Sequence, residues 1–187
     1  MDPYDLTQSR GSVAIDVSTL ETHTFGDAEK DATLTEHART WLEVGKGNMK
    51  EQHRLARFTV RKIDAASAKN VMQLPGDKRG VTLTVTGDFS LHGIAQEKTV
   101  ELTAIFTFVG DTPAGVMVKA AKPIPVDLKA HGIQARGDKG EELVAKTLEL
   151  FGKKVAEEAS LTFEFTAKPS GPAAGATPAP ASSAAPR

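Results

Sequence analysis

Val81-Thr82-Leu83-Thr84-Val85-Thr86-Gly87-Asp88-Phe89-Ser90-Leu91 puts Val81, Leu83, Val85, Gly87, Phe89 and Leu91 on one parity and threonines, Asp88 and Ser90 on the other. Strict period two is the mark of a strand with one buried face. After His92-Gly93-Ile94-Ala95-Gln96-Glu97-Lys98, a second run sets Val100, Leu102, Ala104, Phe106 and Phe108 opposite Thr99, Glu101, Thr103 and Thr107. Together they read as a long antiparallel hairpin. Each apolar side chain would stabilise by roughly 1.5–3 kcal/mol if fully buried, and a two-stranded ribbon cannot bury them alone. Gly87 interrupts the first strand, where a missing side chain signals a bend, a bulge or close approach of another backbone.

Working outward from the hairpin, Val13, Ile15 and Val17 alternate with Ser12, Ala14, Asp16 and Ser18 in an earlier strand. The stretch Thr22 to Asp31 reads as a loop, and Thr33-Leu34-Thr35-Glu36 has capping-box spacing that predicts a short helix after it. Leu34, Ala38, Trp41 and Leu42 fall on one side of that helix, which could then lie over one mouth of a barrel with the single tryptophan pointing in. Gly45 to His53 is polar, and Phe58, Val60 and Lys62 then alternate with Arg57, Thr59 and Arg61. Leu74-Pro75-Gly76-Asp77 is a turn leading into the hairpin. Beyond it, Val116 to Ala121 reads as a strand, and Pro123 and Pro125 restrict the next segment to an edge or irregular strand, because proline lacks a ladder donor. Asp138 with Glu141 repeats the cap spacing, and Val144, Leu148, Phe151 and Val155 recur at helical intervals. Leu161, Phe163 and Phe165 form a final strand with its aromatics inward, and residues 169–187, almost entirely Pro, Ala, Gly, Ser and Thr, form a tail expected to be disordered.

The 187 residues therefore divide into one domain, 1–168, and that tail. Lys and Arg number 23 against 24 Asp and Glu, a net charge of -1 that gives no electrostatic reason to expect nucleic acid. The absence of cysteine removes disulfides, thiolate catalysis and Cys-ligated zinc together. No apolar run of about 18 residues is present, so no transmembrane segment is expected. The acidic start Met1-Asp2-Pro3-Tyr4-Asp5 shows no signal peptide.

Catalytic signatures are weak. His23, His37, His53, His92 and His131 have no HxH, HxxxH or HExxH spacing and would need the fold to bring them together, so no metal site is expected. No Gly-x-Ser-x-Gly elbow exists to expose a nucleophile. Gly45-Lys46-Gly47 lacks the context of a phosphate loop. Arg54, Arg57, Arg61 and Lys62 have no interleaved aromatics and read as a solvated outer face. Arg136-Gly137-Asp138 reads as the start of a helix capped by Asp138. By alternation alone, a sandwich or a barrel filled by its own side chains, serving as a structural or interaction module, is favoured over one with a ligand cavity.

The run Gly87-Asp88-Phe89-Ser90-Leu91-His92-Gly93-Ile94, followed by Val100-Glu101-Leu102, resembles the YceI-like family of lipocalin-like barrels of the bacterial envelope. Leu20-Glu21-Thr22 with Lys30-Asp31 and Leu34 is similar to an earlier family segment, and Val126-Asp127-Leu128 with His131-Gly132-Ile133 to a later one, histidine standing where the family has an aromatic. The order of these motifs holds from about Asp5 to Lys168. The resemblance implies a mainly β fold, an antiparallel lipocalin-like barrel with one short and one longer helix, that sequesters a long apolar isoprenoid or similar lipid without catalysis or a cofactor. It implies a periplasmic or secreted location. Cavity-lining residues are then expected to be Val13, Ile15, Val17, Trp41, Phe58, Val60, Val85, Phe89, Leu91, Leu102, Phe106, Phe108, Phe163 and Phe165.

Family members begin with further strands ahead of the segment that resembles Val13 to Leu20, so a truncated or misassigned start is expected. About six strands are counted where eight would close the barrel. The resulting open edges allow a homodimer. An enzyme acting on an apolar substrate would instead need a polar group such as His92, Asp127 or His131 inside the cavity.

Overall fold

A computed structural model describes residues 1–47, 49–133 and 158–169. In chain order these carry β1 (Gly11–Asp16), α1 (Ala28–Trp41), β2 (Leu55–Ala66), β3 (Lys78–Leu91), β4 (Ile94–Val109), β5 (Thr112–Ala120), β6 (Ile124–Asp127), β7 (Glu158–Leu161) and β8 (Glu164–Ala167). The main sheet runs β1-β2-β3-β4-β5-β8, every pair antiparallel, and β6 pairs with β7 in a second, two-stranded sheet. The main sheet curls into a half-barrel, so that its two end strands, β1 and β8, border the same cavity.

The β3–β4 ladder holds one register from Lys78 opposite Thr107 to Leu91 opposite Ile94. The connection is tighter than the sequence suggests: only His92 and Gly93 form it, both with positive φ (53° and 76°), as a type I′ turn requires. The inner parity is buried as read, with Val81, Leu83, Val85, Val100, Leu102, Ala104, Phe106 and Phe108 all in one cluster with Leu6, Ile63, Val71 and Val118. A second cluster joins Phe89 and Leu91 to Val126 and Ile133, with Trp41, Leu42 and Leu161 packed against it. Phe58 touches both clusters.

Gly87 owes its place to close backbone approach. A Cβ there would run into the carbonyl oxygen of Thr59 and lie 2.8 Å from the Phe58 ring, so β2 and its aromatic sit directly against the bare backbone. The register of β2 on β3 shifts just beyond that point, between Val60 and Lys62, and again between Ile63 and Ala65. These bulges change parity. Lys62, which simple alternation put beside Phe58 and Val60, therefore faces out and pairs with Asp64 at 2.7 Å, while Ile63 is buried.

The helix differs more from its expected form. It starts at Ala28, not after Thr33, because Asp27 caps it by accepting from the Lys30 amide (3.0 Å), and Glu29 and Asp31 fill the first turn. Most of the expected loop from Thr22 to Asp31 instead leads into this cap or lies in the helix. The carboxylate of Asp31 turns back to accept the amides of Thr24, Phe25 and Gly26 at 2.9–3.1 Å. Thr33, inside the helix, donates its hydroxyl to the Glu29 carbonyl.

The last expected strand is two. Leu161 pairs with Ile124 in the small sheet, the chain bends at Thr162-Phe163, and Phe165 pairs with Val118 in the large one. Pro125 lies in β6, which among the described residues pairs only with β7, in keeping with its missing donor. The expected helix after Asp138 and most of the Pro/Ala tail lie outside the described residues.

Candidate functional site

The concave face of the half-barrel encloses a cavity of about 630 Å³. That is within the range of small-molecule sites, roughly 300–1,000 Å³. Its walls follow from the alternation: β2 contributes Phe58, Val60 and Ile63, β3 Val85, β4 Leu102 and Phe106, and β5 Val116 and Val118. The bend after β7 delivers Phe163, which stacks on Phe165 with centroids 5.9 Å apart. Polar side chains are few and come from the N-terminal segment, β1, the start of β5 and the chain after β8: Ser9, Arg10, Ser12, Thr112 and Lys168. Such a surface can exclude water from an apolar guest but offers few hydrogen bonds, so shape dominates what it accepts.

Of the residues expected at the cavity, Val13, Phe58, Val60, Val85, Leu102, Phe106, Phe163 and Phe165 line it. The others lie elsewhere. Ile15, on the end strand β1, is 45% exposed. Val17, Trp41, Phe89 and Leu91 belong to the second apolar cluster, against which the C-terminal end of α1 packs. Phe108 is buried beneath the Arg79 guanidinium, 3.8 Å from its ring centroid. Arg79 is itself buried and donates to the carbonyls of Val71, Met72 and Gly76, an arrangement that ties the turn before β3 to the sheet.

Simple alternation missed Ile63, whose parity the bulges reset, and Val116 and Val118, which stand on a strand that was legible but whose inward face was not. Met1, Pro3 and Pro169 border the cavity from irregular segments with no periodicity to read.

His92, Asp127 and His131, the groups named for catalysis inside the barrel, are not among the residues lining this cavity. Asp127 is exposed and accepts from the Ala130 amide (2.8 Å), holding the turn after β6. His131 is fully buried against the edge of Phe89, its Nδ1 3.1 Å from the Ile94 carbonyl. His92, at the hairpin turn, is buried beside Glu43 and His53. No helix among the described residues is long and apolar enough to cross a membrane.

Comparison with known proteins agrees with this geometry. The YceI-like domain matches residues 1–167. Among solved structures, the crystal structure of BcnA from Burkholderia cenocepacia is 19% identical and superposes with a TM-score of 0.51, over 88% of this chain and 80% of that one. A polyisoprenoid binding domain from Saccharophagus degradans, implicated in plant cell wall breakdown, gives a TM-score of 0.55 at 13% identity, over 85% and 76% of the two chains. At these identities the two structures share a fold with this chain. No curated protein matches it.

Proposed function

The chain belongs to the YceI-like domain family, and from that premise we propose that it binds a long apolar lipid of the polyisoprenoid class by enclosing it in the half-barrel. One observation carries the reading: a cavity of about 630 Å³ whose walls are built from the inward parity of β2 to β5 and the stacked Phe163 and Phe165. Burial of some twenty CH₂ equivalents at about 0.8 kcal/mol each would offset the ordering of a flexible chain. Binding is sequestration, with no bond made or broken. Family membership supports a periplasmic place of action, where a carrier keeps such a lipid out of water. Among the described residues the end strands β1 and β8 each pair with one neighbour, which supports association between chains as a secondary property.

The test is a titration of the full chain, purified without detergent, with a long-chain polyprenol, using Phe165→Glu as the comparison. Phe165 is half-buried on an end strand, so a charge there spoils the cavity at small cost to folding. Saturable binding that Phe165→Glu weakens at least tenfold supports the proposal. Binding that is absent, or indifferent to that change, removes it.

A further inference from the structure

We propose that Glu43, His53 and His92 form a binding site for one divalent transition-metal ion of the zinc class. All three are buried, at 9%, 8% and 8% exposure, and one ligand atom from each lies within 4.8 Å of the others. The Glu43 Oε2 atom is 3.0 Å from His53 Nδ1 and 3.1 Å from His92 Nε2. Zinc bonds of about 2.0–2.2 Å in a tetrahedral arrangement need ligand atoms about 3.4 Å apart. For both carboxylate–imidazole pairs a few tenths of an ångström of outward movement would meet that requirement, and the two ring nitrogens lie within 4.8 Å of each other.

The hydrogen bonds around the cluster set the ring states. His92 Nδ1 lies 3.1 Å from the His131 carbonyl oxygen, which can only accept, so Nδ1 carries the proton. The lone pair of a neutral His92 is then on Nε2, aimed at a carboxylate oxygen. A proton or a cation must lie between them. A backbone carbonyl that fixes the tautomer from behind is the usual outer support of a metal-bound histidine. His53 Nδ1 supplies the independent sign. It is buried and 3.0 Å from Glu43 Oε2, an ion-pair contact that does not form a well-shaped hydrogen bond, and it makes no other hydrogen bond among the described residues. A buried ring nitrogen without a well-formed hydrogen bond is costly, and a metal ion would use its lone pair.

The backbone points to the same place. Glu43 and His92 are the two non-glycine residues with positive φ among those described, at 54° and 53°. Glu43 stands where a helix ordinarily ends in glycine: its amide bonds Thr40 and that of Val44 bonds Arg39, a Schellman turn closing α1. Two side chains held in a disfavoured conformation thus converge on one point. Lys50 brings a further charge to the cluster, its Nζ 2.8 Å from Glu43 Oε2. With a side chain 51% exposed it can swing into solvent, which opens a path to the carboxylate and removes the competing cation. None of the three proposed ligands lines the apolar cavity.

The test uses the full chain, stripped with a chelator and titrated with Zn²⁺ alone while the five histidine rings are followed by nitrogen-resolved NMR. The expected result is one bound ion per chain, with direct shifts at His53 Nδ1 and His92 Nε2 and none at the exposed His23. This readout needs no variant to fold. Glu43→Gln and His92→Asn should each weaken binding about 100-fold or more, Lys50→Ala should tighten it several-fold, and His23→Ala should leave it unchanged. No binding at micromolar Zn²⁺, or shifts centred on His23 and His37, would overturn the proposal and leave the cluster as a proton-held ion pair.

Discussion

The apolar cavity and the Glu43–His53–His92 cluster are built by opposite means. The cavity wall is distributed over long strands, and many side chains share one requirement, to be apolar and inward. The cluster draws single residues from a helix C-terminus, a 3₁₀ turn and a hairpin turn, each held by its own local hydrogen bonds. A distributed dry surface tolerates changes of shape, because each member contributes additively. A convergent polar site does not, because removing one member leaves the others buried without partners.

Leu83→Ala offers the largest expected effect. Leu83 is 2% exposed and does not border the cavity, so truncation should cost about 2–5 kcal/mol in urea denaturation. Val60→Ala, on the half-buried cavity wall, should cost well under half of that, because its side chain already borders free volume. Equal losses at the two positions would mean that the cavity is not open space and would break the contrast.

Next comes Gly87→Ala. The added Cβ meets the Thr59 backbone and the Phe58 ring, so a loss of about 1–3 kcal/mol is expected, with any lipid binding reduced because Phe58 forms part of the wall. An unchanged melting temperature would show that β2 can shift away from β3 without strain.

The contrast was already half legible. Alternation along Val81–Leu91 and Val100–Phe108 is a local property of the chain, so a one-faced antiparallel ribbon and its inward residues could be read from it, whereas the curl of the sheet followed only from the family resemblance. What alternation could not give was the parity change at Val60–Lys62, a bulge beside the close approach of β2 to Gly87, nor the early start of α1, which Asp27 and not Thr33 caps. The histidine cluster was out of reach altogether. His53 and His92 are 39 positions apart, no spacing rule links them, and Glu43 carries no signal for a left-handed helix end, where glycine is the usual choice. Distant residues joined by loops leave no period to detect.

A pH series sharpens the polar side of the comparison. Burial, and then the neighbouring His92, hold the His53 imidazole below its ordinary value of 6.5. The native state therefore resists a proton that the unfolded chain accepts. Above the unfolded value neither state binds it and nothing is lost; as pH falls below about 6.5, stability declines, until the native pKa is reached. Metal-free chain followed by urea denaturation between pH 8 and pH 5 should show this fall, and His53→Asn should flatten it. The smallest effect belongs to the outer face, where Arg61 pairs with Asp88 (2.7 Å) and Glu97 (3.0 Å) while 56% exposed. Arg61→Ala should cost less than about 1 kcal/mol, and less still in high salt.

The most direct test of the central claim, that the half-barrel holds an apolar lipid, is native mass spectrometry of the full chain isolated from cells without detergent, with organic extraction of anything bound. A lipid-filled half-barrel predicts a stoichiometric adduct that dissociates as a polyprenyl lipid and is lost in Phe165→Glu. A chain that runs at its bare mass, and stays so after incubation with polyprenol, would contradict it.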